Sequence, residues 1–182
     1  MRGSTRLRTG GKCLQSTDKS QHVVKKDSLQ IYLHDHLAGA ALAIDMLKRF
    51  SDARRHDPLG EFAAELLVEI EEDHQQLKQL ASRVETRSAG FKKWTARVME
   101  KLSRLKLRSR KSNDLGAFET LEALCLGIFG KAALWTALAS VNDPRLGGLH
   151  YPTLIRRAHQ QHRRVEQMRL QLAQSALARG AS

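Results

Sequence analysis

ETRSAGFKKWTARVMEKLSRLKLRSRKSND, residues 85–114, is the stretch on which the fold turns. It joins two long amphipathic segments, whereas the other joins, near residues 51–59 and 140–150, are short. Short joins force the helices they connect into antiparallel neighbours. A helix of about 25 residues is about 37 Å long, and a connection of this length returns along all of it. The segments on either side of the long join are therefore expected to run in the same direction. An up-down-up-down bundle would need only a short join here. Within the stretch, Phe91, Trp94, Val98, Leu102 and Leu105 recur along one side, which predicts a short fifth helix over 91–107.

Outward from this join, apolar spacing predicts helices at about 28–51, 58–84, 114–139 and 151–178. Asp27 or Ser28 suits the first N-cap, and Asp57-Pro58 starts the second helix. The first helix has the inward stripe Leu29, Leu33, His36, Ala40, Ala43, Leu47 and Phe50. The second has Leu59, Phe62, Leu66, Ile70, Asp73, Leu77, Leu80 and Val84, so one carboxylate lies on an otherwise apolar face. The third is apolar nearly all round, which predicts a helix in the middle of a packed domain. Asn142-Asp143-Pro144 and Gly147-Gly148 make the turn into the fourth. Gly127 and Gly130 lie inside the third helix, as Ala38 to Ala41 do in the first, and small residues there predict close helix approach.

Leu and Ala dominate the 182 residues and prolines number three, which predicts an all-α class and one domain over 27–179. The net charge of +12 is concentrated in two places. Residues 1–26 read as a disordered basic tail of +6, and residues 91–111 carry +8, including Lys92, Lys93, Arg97, Lys101 and Arg104, so the rest of the chain sums to −2. The body is close to neutral, so a uniformly basic nucleic-acid-wrapping surface is excluded. The basic amphipathic helix itself could lie on an anionic membrane or on nucleic-acid phosphates. No charge-free apolar run of membrane-spanning length is read, and no secretory signal. Cys125 reads as a buried hydrophobe, and a cytoplasmic setting is expected.

One long crossover between parallel helices two and three is the ferritin-like arrangement of a four-helix bundle. Tyr32–Ala41 (YLHDHLAGAA), Glu69–His74 (EIEEDH), Lys101–Leu107 (KLSRLKL), Leu121–Lys131 (LEALCLGIFGK) and Leu154–Leu170 (LIRRAHQQHRRVEQMRL) extend the likeness across most of the chain. In these pieces it resembles a group of uncharacterised bacterial helical proteins of ferritin-like architecture. The resemblance implies the fold and implies no activity.

Di-metal sites in such bundles take a Glu from each of two helices and a Glu-x-x-His pair from each of the others. Here His36, Glu71, Asp73, His74, Glu119, Glu122 and Glu166 are the candidate ligands for Fe or Mn. Helix one has no Glu, and Arg169 stands where the second His belongs. Glu71 also points away from the apolar stripe of its helix. A hemerythrin-like site, suggested by Asp35-His36, Asp73-His74 and the His162 to Glu166 spacing, lacks any His on helix three. The competing reading is a buried ion-pair network. Counted from the loops, His36, Asp73 and Lys131 share one level, and Glu122 lies near Arg169. Cations on the chain then neutralise the buried acids.

The expectation is a non-catalytic binding or structural bundle without a cofactor, possible as a homodimer through the apolar surplus of helices one and three. The enzyme alternative is a non-haem di-iron or di-manganese oxidase or peroxide-handling protein. Anionic-surface binding by the basic crossover helix is the third reading.

Overall fold

The computed structural model describes residues 27–85 and 114–178. The tail, the fifth helix expected over 91–107 and the basic residues Lys92, Lys93, Arg97, Lys101 and Arg104 lie outside the described residues. Four long helices make up the described part: α1 (Ser28–Ala53), α2 (Pro58–Val84), α3 (Asp114–Ala139) and α4 (Tyr151–Leu177). A 3-10 turn, Pro144–Leu146, precedes α4. The protein is an all-α bundle.

The helix starts follow the capping chemistry of the sequence. Asp27 Oδ1 accepts from the Leu29 amide at 3.0 Å. Asp57 Oδ1 accepts from Leu59 at 2.9 Å and from Gly60 at 3.1 Å, with Pro58 in the first helical position. Each cap satisfies backbone donors that the helix cannot, worth about 1 kcal/mol apiece. Gly148, at φ +85°, takes the left-handed turn conformation before α4 that glycine adopts without strain.

Helices α1 and α2 form one antiparallel hairpin, and α3 and α4 form the other. An arginine ties the hairpins together at each end. Arg54, after α1, reaches Asp57 at 3.1 Å and Asp114, the first residue of α3, at 3.7 Å. At the opposite end Arg145 bonds Asp143 in its own turn and Asp27 at the start of α1. These links place the start of α3 beside the start of α2, so the two run in the same direction. At the far end of α2, Glu85 lies 3.2 Å from His34 of α1. His34 and Arg54 are about 30 Å apart along α1, so the connection over 86–113 joins opposite ends of the bundle, as its length requires.

The core is two apolar layers with a polar layer between them. Leu47, Phe50, Leu66, Ile70, Leu121, Leu124, Ile128 and Val165 pack at one end. Leu33, Leu37, Leu77, Leu80, Leu134, Trp135, Leu138 and Leu154 pack at the other. Both layers follow the expected stripes, with corrections on α1 and α3. In α1, His34 is buried, whereas His36 is only half-buried. In α3 the expected all-round burial fails on one side among the described residues, with Leu126 70% and Phe129 59% exposed. The helix has close neighbours in α1 and α4 but none described on its outer side. By length and composition α3 is also apolar enough to cross a bilayer, although Glu119, Glu122 and Lys131 interrupt it, so it is not a charge-free run. In the bundle its Leu121, Leu124, Ile128, Trp135 and Leu138 are core residues.

The mid-helix glycines are a second correction. A Cβ built at Gly39, Gly127 or Gly130 meets nothing within 4 Å, so none of them marks a close helix contact. Glycine inside a helix costs roughly 0.5–1 kcal/mol relative to alanine, chiefly in backbone entropy. Gly127→Ala is therefore expected to stabilise the fold by about that amount, read as a higher urea midpoint at unchanged slope.

Candidate functional site

The polar layer is built at mid-height from α2, α3 and α4. Asp73 lies on the core face of α2, with its side chain 4% exposed, and the Lys131 amine of α3 pairs with it. The same amine donates to Gln161 Oε1 on α4. The Gln161 amide nitrogen donates to Glu69 at 3.0 Å and to Asp73 at 3.2 Å. Arg157 Nε stands 3.2 Å from the second Asp73 oxygen, and its Nη2 donates to the Glu69 carbonyl and the Glu72 carboxylate. Arg164, two helical turns beyond Arg157, pairs with Glu69. Every polar group of Gln161 and both oxygens of Asp73 thus have partners, the condition under which burial of charge is tolerated.

Sequence accounts for this placement. Acids on α2 (Glu65, Glu69, Glu72, Asp73) face arginines on α4 (Arg157, Arg164), and long side chains bridge the two helices where apolar packing is sparse. Burial pushes the Lys131 amine below its ordinary value, with Asp73 opposing that shift. For Glu69, burial opposes ionisation, but hydrogen bonds from Arg164 and Gln161 outweigh it and hold the carboxyl below its usual range.

A cavity of about 100 Å³ opens against this layer between α1, α2 and α3. Its rim includes Gly39, Ala40, Ala43 and Gly127, and its walls include Ile70, Leu77, Leu124, Ile128, Leu134 and Trp135. His36, His74, Asp73 and Lys131 supply the polar lining. Burial lowers the pKa of both His36 and His74. His36 makes an edge contact with Tyr32, ring centroids 4.7 Å apart.

The expected network of His36, Asp73, Glu122, Lys131 and Arg169 is therefore reached only at Asp73 and Lys131. His36 lines the cavity without bonding either of them. Glu122 is exposed. Arg169 bonds Glu166 of its own helix at 2.7 and 2.8 Å, not Glu122. That contact, three residues apart on one helix, needs no interhelical register. The Arg169 guanidinium holds the Glu166 carboxyl down to about 2. Glu166 also accepts from Cys125 Sγ at 3.4 Å, and burial, with this carboxylate beside it, pushes the buried thiol up to about 12.

The candidate metal ligands separate in the same way. Glu71 pairs with Lys48 at 2.8 Å, Glu119 and Glu122 face outward, and Glu166 is held by Arg169. His74 faces the cavity and Asp73 the ion-pair layer. Among the described residues no three His, Cys, Asp or Glu side chains converge as a metal site. The hemerythrin-like set separates too: Asp35 is exposed, and His162 packs on Phe129 with centroids 6.1 Å apart.

Sequence reasoning did not single out Gln161 or Arg157. Gln161 is 1% exposed. A signal was present: Leu154, Ala158, Gln161 and Val165 continue one helical face at spacings of three and four.

Fold and site together define a class: an all-α four-helix bundle with buried salt bridges at its centre. Comparison with known protein families, curated proteins and solved structures gives no match for the chain.

Proposed function

We propose that the protein is a ferritin-like bundle in which an ion-pair cluster takes the central position of a metal pair. On this reading it serves as a non-catalytic binding or structural protein of the cytoplasm. The observation that carries it is the Lys131 amine, held between Asp73 of α2 and Gln161 of α4. An ammonium group supplies Asp73 with the positive charge that a cation would otherwise bring. A metal ion at the same carboxylate would face Lys131 and Arg157 as like charges. The other candidate ligands, Glu71 and Glu166, already have cationic partners. The two remaining imidazoles, His36 and His74, border a cavity with mostly apolar walls and have no carboxylate pair converging on them.

Elemental analysis of protein purified without chelator tests this directly. Iron and manganese are expected well below one ion per chain. A pair of either per chain would revive the oxidase reading and remove this one. Binding of anionic membranes or nucleic acid through Lys92, Lys93, Arg97, Lys101 and Arg104 remains a separate proposal, without support from the described residues.

A further inference from the structure

The cavity against the polar layer has a surplus of hydrogen-bond donors. An ammonium group carries three N–H bonds, and Lys131 uses two of them, on Asp73 and Gln161. Trp135 lines the same cavity, is 1% exposed, and its buried indole N–H has no hydrogen-bond partner among the described residues. A buried donor left without an acceptor costs about 1–3 kcal/mol. His36 and His74 also border the space and make no hydrogen bond among the described residues. The one carboxylate in the lining, Asp73, already accepts from Lys131, Gln161 and Arg157.

Charge points the same way as the donors. Asp73 is shared between two cations, Lys131 and Arg157, and the other acid on Arg157, Glu72, has a side chain 61% exposed. Glu69 pairs in turn with the Arg164 cation, so Asp73, Glu69, Lys131, Arg157 and Arg164 together carry one positive charge in excess. Opposite it, Ile70, Leu77, Leu124 and Ile128 offer only hydrocarbon. An occupant must combine an anionic acceptor head with a small apolar body. Size limits that body: an apolar cavity of about 150 Å³ admits benzene, so one of about 100 Å³ takes a molecule of fewer heavy atoms.

We propose that the cavity between α1, α2 and α3 binds a short-chain monocarboxylate of about two or three carbons. Its carboxylate accepts from Lys131 and Trp135, and its alkyl end lies against Ile70 and Leu124. This deepens the binding-protein reading and rests on Lys131, rather than a metal, holding the bundle centre.

The test is titration of the metal-free, full-length chain with sodium propionate, at ionic strength held constant with chloride. The readout is the indole N–H resonance of Trp135, assigned by its loss in Trp135→Phe. A saturable shift is expected, with propionamide and 1-propanol weaker by at least about tenfold. Gly127→Leu should abolish the shift by filling the cavity from its rim; a Cβ there meets nothing within 4 Å, and an unchanged circular-dichroism spectrum checks that the variant is folded. A non-saturating response, equal binding of propanol, or a response surviving in Gly127→Leu would overturn the proposal. Metal-free protein that ignores propionate sinks this inference alone. A bound metal pair sinks the reading beneath it.

Discussion

Lys131→Met is expected to destabilise the protein by about 3 kcal/mol, because it leaves Asp73 charged and buried without its closest cation. The Asp73 side chain is 4% exposed, so water cannot replace the lost ammonium. Arg157 at 3.2 Å and the Gln161 amide at 3.2 Å stay in place, which sets the loss at the lower end for broken buried pairs. Removing both partners should behave differently. In Asp73→Leu/Lys131→Met the polar layer loses both charges and gains apolar volume, and replacing a buried pair in this way is often neutral or stabilising. Gln161 Oε1 loses its donor in both Lys131 variants, so the double variant should lie within about 2 kcal/mol of the parent, still short of the sum of the single effects. Urea unfolding of the four proteins provides the comparison. A neutral Lys131→Met, or simple additivity, would show that the pair is solvated and the central argument mistaken.

Gly60→Ala is expected to cost about 3 kcal/mol, by overpacking against backbone. A Cβ at Gly60 would lie 1.9 Å from the carbonyl oxygen of Arg54 and 2.5 Å from its carbon. Backbone cannot rotate away as a long side chain would, so the whole corner between α1 and α2 must move. That corner carries much at once. The Arg54 carbonyl accepts from the Asp57 amide at 3.0 Å, and Ser51 Oγ donates to the Gly60 carbonyl at 3.2 Å. The Arg54 side chain holds Asp57 and the first residue of α3. A fall in melting temperature of roughly 10 °C is expected for a chain of this size. Set beside Gly127→Ala, which should raise stability, the pair separates two uses of glycine that look alike in sequence. An unchanged melting temperature for Gly60→Ala would contradict the tight corner.

Much of the framework was legible without coordinates. Asp57-Pro58 announced the start of α2, and the apolar stripes located the helices to within a few residues of Ser28–Ala53, Pro58–Val84, Asp114–Ala139 and Tyr151–Leu177. Counting from the loops put Asp73 and Lys131 at one height, because helical rise is constant and short loops leave little slack. The same counting failed for Glu122 and Arg169. Height along an axis says nothing about rotation around it, and Glu122 turns outward while Arg169 bonds Glu166 of its own helix.

The amino-acid sequence by itself determined which of the described residues are helical, where the described helices start, the common direction of α2 and α3, and the burial of a carboxylate on the core face of α2. These follow from local spacing, capping chemistry and connection length, all of which act within one helix or across one join. Only the tertiary structure decided that Gln161 and Arg157 complete the Asp73–Lys131 pair, that His34 rather than His36 is buried, and that Gly39 and Gly127 border open space. Such pairings depend on helix rotations and offsets smaller than the step between neighbouring residues, which the packing of all four helices sets together.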